Sequence, residues 1–384
     1  MADPDTRERG NAPDDTSTST AATYSSPLLA VPGAVPAPEE WPDQGVAWHC
    51  GDPLVEQREA TTGLVVIDRS HRSVISVTGA DRLTWLHSLT SQSFTDLPDG
   101  ATAESLILDI NGRIEHHFVA THFDGTVWLD TEREYAAALL SYLQKMVFWS
   151  KVEVREADMA VLTLIGPALA NAIPDTTKAV ALPEGGFTRP LGWPAEGRAD
   201  AVVPRSQLAR WWTEFTHAGA RPAGTWALEA LRVTSLRPRV GVDTDERTIP
   251  HEARWIGTAE QHGAVHLEKG CYRGQETVAR VHNLGKPPRH LVLLHLDGSD
   301  EHRPMTGDPV TAGGRTVGRV GTLIDHFEFG PVALALMKRT ITPETELTAG
   351  APGREVAASI DPDSLPLYEE VQPGRAAVDK LRGR

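Results

Sequence analysis

Three turn dipeptides constrain the fold of this chain more than any other feature. Asn111-Gly112, Asp124-Gly125 and Gly313-Gly314 each follow a run rich in β-branched and large apolar residues, and each is followed by another. Such dipeptides reach the positive φ values that a two-residue hairpin needs. The first joins a strand over 105–110 to its return over 114–120, the second leads into 127–129, and the third separates 308–312 from 315–323. Further β-rich runs lie at 72–77, 151–155, 159–165, 289–296 and 331–338. Apolar stripes at helical spacing interrupt them. These are Leu83, Leu86 and Leu89, then Tyr135, Leu139, Leu143 and Met146 over 132–146, Leu208, Trp211, Trp212 and Phe215 over 205–218, and Leu228, Leu231 and Leu236 over 225–236. Hairpins and helices alternate without regular βαβ spacing, so the expected class is α+β, not a doubly wound sheet. Beyond a Pro- and Gly-containing linker at 283–288 only strand signals remain, which predicts a small C-terminal barrel or sandwich.

The 384 residues have room for two or three domains of ~100–200 residues. Residues 1–45 are rich in Asp, Thr, Ser, Ala and Pro and read as a disordered tail. The expected division is 46–285 for two interleaved α+β domains, 286–360 for the barrel and 361–384 for a loose tail. A net charge of −15 disfavours nucleic acid as a partner. The two cysteines, Cys50 and Cys271, exclude a disulfide framework and a four-thiolate cluster within the chain, so neither an iron–sulfur cluster of its own nor a metal site is expected. The start of the chain lacks the pattern of a signal peptide, and no stretch reaches the ~20 apolar residues of a membrane span. A cytoplasmic protein without membrane contact is the expectation.

Chemistry concentrates around Cys271, in Lys269-Gly270-Cys271-Tyr272-Arg273-Gly274-Gln275-Glu276. Lys269 and Arg273 flank the thiol with positive charge, Gly270 and Gly274 let the backbone bend around it, and a helix over 275–282 would begin just beyond it. These surroundings favour a thiolate. A buried, inert cysteine is the competing reading, and it is the stronger one for Cys50, which has no cationic flank. His266 and His282 are the imidazoles available as a base if Cys271 were a nucleophile.

The run from Lys269 through Arg280 resembles the signature of the YgfZ family, relatives of the T-protein of the glycine cleavage system. Val77-Thr78-Gly79-Ala80-Asp81-Arg82, Leu108-Asp109-Ile110-Asn111-Gly112-Arg113, Leu231-Arg232-Val233 with Gly241-Val242-Asp243, and Ile249-Pro250-His251-Glu252 resemble the family in the same order, so that roughly 60–340 is covered. The resemblance implies a T-protein-like fold of three domains around a central channel, tetrahydrofolate or a derivative as cofactor, and a role in assembly or repair of iron–sulfur clusters in client enzymes. Cys271 would be a reactive thiol near the folate channel. Folate and the client enzymes would be the partners of a monomer.

Departures from the T-protein pattern point away from aminomethyl transfer. His116 and His117 stand where the transferases carry an acidic pair, and Thr234 stands where they carry a pterin-binding glutamate. The resemblance leaves Asp109, Asn111, Arg113, Asp243 and Glu252 as candidate folate contacts, because a pterin edge suits a carboxylate and a glutamyl tail suits a guanidinium. Turn formation by Asp109 and a solvated acidic loop at Asp243, Asp245 and Glu246 are the competing readings. His116 and His117 are adjacent in a strand, so only one can face a channel. A folate-dependent aminomethyl or C1 transferase remains the alternative function.

Overall fold

The computed structural model describes residues 24–194, 197–299 and 301–366. Two sheets, a barrel and the helices between them make up the fold. The first sheet takes six strands in the spatial order Val180–Ala181, Phe187–Leu191, Arg198–Pro204, Met159–Ile165, Val65–Asp68 and Arg221–Ala223. Its pairings are antiparallel except at the last strand, which runs parallel to Val65–Asp68. Met159–Ile165 is buried along its whole length, which is why it reads as an unbroken apolar run. The second sheet takes five strands, in the order Thr102–Leu108, Ile114–Phe123, Thr126–Thr131, Ser73–Thr78 and Glu153–Ala157. The chain leaves the first sheet after Asp68, builds the second, and returns at Met159, so the two sheets interleave as the α+β reading expects.

Helix α1 (Pro53–Thr62) precedes the first sheet, and α2 (Arg82–Leu89) and α3 (Arg133–Lys145) cover the second. Helix α4 (Leu208–His217) buries Leu208, Trp211, Trp212 and Phe215 against the first sheet. The i, i+3, i+4, i+7 spacing puts those four on one face, each contributing roughly 1.5–3 kcal/mol by burial. Helix α5 (Thr225–Thr234) sits between bodies. Ala227, Leu228 and Leu231 pack on the first sheet, while Ala230 and Val233 pack on Leu291, Leu293, Ile324, Val332 and Leu334 of the barrel. The barrel is closed, with strands Arg289–Leu296, Gly330–Lys338, Arg315–His326, Pro309–Ala312, Leu347–Ala349 and Val356–Ile360 in ring order. Gly313-Gly314 makes its two-residue turn at φ +54° and +75°.

Three expectations change. Residues 24–45 are ordered rather than part of a tail. Tyr24 Oη donates to Ser70 (2.6 Å), Ser26 Oγ to Asp68 (2.5 Å), Leu28 joins the core of the first sheet, and Asp43 is buried. Polar side chains hold this strap, so a count of large apolar residues misses it. The remainder of that tail, 1–23, and residues 367–384 lie outside the described residues. Asn111-Gly112 belongs to a three-residue loop: Asp109 N–H donates to Arg113 O (2.8 Å), and Gly112 at φ +75° supplies the left-handed position. The 283–288 linker begins later than expected, because α6 (Gln275–Leu284) runs to Leu284 and is capped by left-handed Gly285. No described helix is long and apolar enough to cross a membrane.

Candidate functional site

The strap, both sheets and α5 meet at a buried knot of ion pairs. Arg69 and Arg72 come from the turn between Asp68 and Ser73, Asp130 and Glu132 from the end of Thr126–Thr131, and Arg189, Arg198 and Asp200 from the first sheet. Glu229 and Arg232 lie on α5, Arg239 follows it, and Asp43 reaches in from the strap. Arg72 Nε donates to Asp130 (2.6 Å) and its Nη1 to Glu132. Arg189 bridges Asp130 and Asp200, the latter at 3.0 Å. Arg239 holds Asp43 with two bonds of 3.0 and 2.9 Å and Glu132 at 2.7 Å. Arg232 holds Glu229 (2.9 and 2.7 Å) and Asp243 (2.7 Å). Burial alone would raise the carboxyl pKa values of Asp43, Glu132 and Asp200, but the adjacent guanidiniums outweigh it and hold all three low.

This knot surrounds a cavity of about 40 Å³, whose wall also includes His117, Tyr135 and Trp193. Beside it opens a cleft of about 620 Å³, and Trp193 and Arg198 line both. The walls of the cleft come from 97–104, from 190–193 and from 259–262, with Glu104 and His262 among its polar groups. Glu104 accepts from His117 Nε2 (2.8 Å) and Arg237 Nη2. His117 in turn stacks on Trp255 at 5.2 Å between ring centres. The guanidiniums of Arg198 and Arg237 each sit 4.6 Å from the Trp193 ring centre. Of the two adjacent histidines, His117 faces the cavity. His116 points into the core of the second sheet, and burial pushes its pKa down to about 4.

The signature run lies elsewhere. Cys271 is exposed and lines neither of these spaces. Its expected cationic flank is engaged away from it. Lys269 is buried, and its Nζ donates to the carbonyls of His87, Thr90 and Gln92, the last at 3.2 Å, while Arg273 pairs with Glu115 at 2.9 Å. Tyr272 is buried with Leu106, Leu108 and Trp255. Gly274, at φ +82°, is the N-cap of α6 and packs on the hairpin loop: a side chain there would place Cβ 2.5 Å from Asp109 O. The fold therefore brings Lys269–Glu276 together with Asp109–Arg113.

The carboxylates proposed from sequence do not line the cleft. Asp109 accepts from the backbone N–H groups of Asn111 (2.7 Å) and Arg113 (2.8 Å) and so shapes its own turn. Asp243 is held by Arg232, Arg239 N and Thr322 N, and Glu252 by Arg289. Thr234 Oγ1 donates back to Ala230 O. Glu104, Trp193, Arg198 and His262 were not singled out in the sequence. A lone carboxylate inside the otherwise uncharged strand 102–108 is the one local sign of Glu104; the others converge only through the fold. Among the described residues no group of three or more His, Cys, Asp or Glu side chains is placed to hold a metal ion.

The arrangement of two interleaved α+β bodies and a closed barrel is that of the glycine cleavage aminomethyltransferases. The crystal structure of aminomethyltransferase T from Bartonella henselae superposes with a TM-score of 0.75, at 19% identity over 89% of this chain and 98% of that one. Residues 47–190 match the GCVT N-terminal domain family. In sequence the chain is similar to YgfZ proteins as well as to aminomethyltransferases. It is 24% identical to the tRNA-modifying protein YgfZ of Cronobacter sakazakii over 68% of this chain and 80% of that protein. It is 27% identical to the putative chloroplastic transferase At1g60990 of Arabidopsis thaliana, covering 67% of this chain and 61% of the plant protein. The aminomethyltransferase of Nitrosococcus oceani matches at 25% over 53% of this chain and 60% of its own length. The chain thus spans about three fifths of those last two relatives.

Proposed function

We propose that the protein binds tetrahydrofolate or a derivative and assists the assembly or repair of iron–sulfur clusters in client enzymes, as a cytoplasmic monomer. The observation that carries the folate half is the 620 Å³ cleft, a volume within the ~300–1,000 Å³ range of small-molecule sites, set in an aminomethyltransferase-like fold. Glu104 would anchor the 2-aminopterin edge, since a carboxylate offers more lone pairs than Arg237 and His117 use. Trp193 and Arg198 would form the inner wall and His262 the rim. Bound tetrahydrofolate supplies a carrier for one-carbon units. Exposure of Cys271 supports a thiol that meets a macromolecular client rather than the folate. The histidines and threonine at 116, 117 and 234 support a binding factor over an aminomethyl transferase.

Calorimetric titration with tetrahydrofolate tests the first half: saturable binding is expected for the wild type and for Cys271→Ala, with a loss of tenfold or more in Glu104→Gln. Equal affinity in Glu104→Gln would sink the assignment of the cleft. In a deletion strain, Cys271→Ala should fail to restore the activity of iron–sulfur enzymes, and full rescue would remove the thiol role. The second reading, a folate-dependent C1 transferase, draws on the likeness to aminomethyltransferase T, and consumption of methylated amines with tetrahydrofolate would favour it.

A further inference from the structure

The 40 Å³ cavity behind the cleft is too small for a pterin. A space of that size holds a few waters or one small ion, given ~10–15 Å³ per water by the same measure. Its wall is lined by guanidiniums, and all but one of them have a carboxylate within hydrogen-bonding reach: Arg72 has Asp130, Arg198 has Asp200 at 3.2 Å, Arg232 has Glu229, and Arg239 has Asp43. Arg69 differs. Its nearest carboxylate oxygen, Oδ2 of Asp200, is 4.0 Å away and already shared between Arg189 and Arg198. Among the described residues its guanidinium has no hydrogen bond, although the side chain is only 12% exposed. Burial, then the charges of Arg72 and Arg198, push its pKa down to about 9. The carboxylates of Asp200 and Asp130 attract Arg69 but are hydrogen-bonded to other guanidiniums, so an anion in direct contact would complete it, and a planar carboxylate matches the guanidinium fork. Val119, Leu228 and Val240 leave an apolar side to the same space, which suits a short hydrocarbon end and not a fully hydrated ion.

We propose that this cavity binds a small monocarboxylate, of the size of formate or acetate, with Arg69 as its principal partner. The cavity adjoins the cleft across Trp193 and Arg198 but is a distinct space, and its test needs no folate. Thermal unfolding of the full chain at pH 7 and fixed ionic strength would be followed with increasing sodium formate, acetate, benzoate or chloride. Formate or acetate should raise the midpoint with the logarithm of its concentration, by a few degrees at ~100 times the dissociation constant, while benzoate and chloride give none. Arg69→Met should lose the rise. Formate and chloride curves that coincide, an equal rise with benzoate, or an undiminished rise in Arg69→Met would each overturn the proposal. If Arg69→Met does not fold, the wild type still decides: the line of ¹³C-formate in NMR should broaden with protein and sharpen when acetate competes, and a line that stays narrow counts against the site.

Discussion

Glu104 is 5% exposed on an otherwise uncharged strand, yet it stays ionised. Burial would raise its pKa, but Arg237 and His117 outweigh burial and bring it from an ordinary 4.5 to about 2. A carboxyl depressed in the folded state contributes stability above its unfolded pKa and loses it as pH falls through the folded value. Glu104→Gln should therefore cost about 3 kcal/mol at pH 7, and the gap to wild type should close between pH 4.5 and 2. Denaturant titrations across that window check it; a gap independent of pH would mean that the ion pair contributes little. His116 acts in the same direction for another reason. Burial keeps it neutral down to about pH 4, so below pH 6.5 the unfolded chain takes up a proton that the folded one refuses. Sequence alone could say that one of the adjacent histidines faces inward to a channel. Which one depends on the register of Ile114–Phe123 against its neighbours, and the fold chooses His117.

At the scale of elements, the hairpin loop and α6 form one unit. Gly112 adopts φ +75°, and a side chain there would place Cβ 2.8 Å from Thr277 Cβ on α6. Gly125 adopts φ +71° with nothing within 4 Å. Gly125→Ala should thus cost only the left-handed conformation, about 1 kcal/mol, whereas Gly112→Ala should cost about 2–3 kcal/mol because α6 must also move. Equal losses in the two variants would show that the contact is soft. These elements were largely legible. The stripes of α3, α4 and α5 and the turns at Asp124-Gly125 and Gly313-Gly314 follow from local periodicity and from residues that tolerate positive φ. Helix α1 was not, because its apolar residues form no stripe: Leu54 and Val55 are exposed while Glu56 and Gln57 are buried. Glu56 instead accepts from the N–H groups of Cys50 and Gly224, a long-range contact with no sequence period.

Across the whole molecule, Asp243 ties α5 and the loop beyond it to the barrel. It accepts from Arg232 on α5, from Arg239 N in the loop beyond, and from Thr322 N in the barrel (2.7, 2.8 and 2.7 Å). Gly321 lies so close that a side chain there would reach within 2.3 Å of Asp243 Oδ1. Asp243→Ala takes one of the two carboxylates from buried Arg232 and leaves the N–H groups of Arg239 and Thr322 without their acceptor, so it should cost about 3–5 kcal/mol by equilibrium unfolding. A loss under about 1 kcal/mol would mean that Asp243 contributes little to holding the barrel. The sequence by itself determined the α+β class, the closing β-rich segment and the likeness of Lys269–Glu276 to a known signature, because each is written in short-range pattern. Only the tertiary structure decided which charges meet. It turned Lys269 inward and Cys271 outward, gave Asp243 and Glu252 to arginines, and made the cleft from Glu104, Trp193, Arg198 and His262. A charged side chain takes its role from its partner, and a partner distant in the chain leaves no local mark.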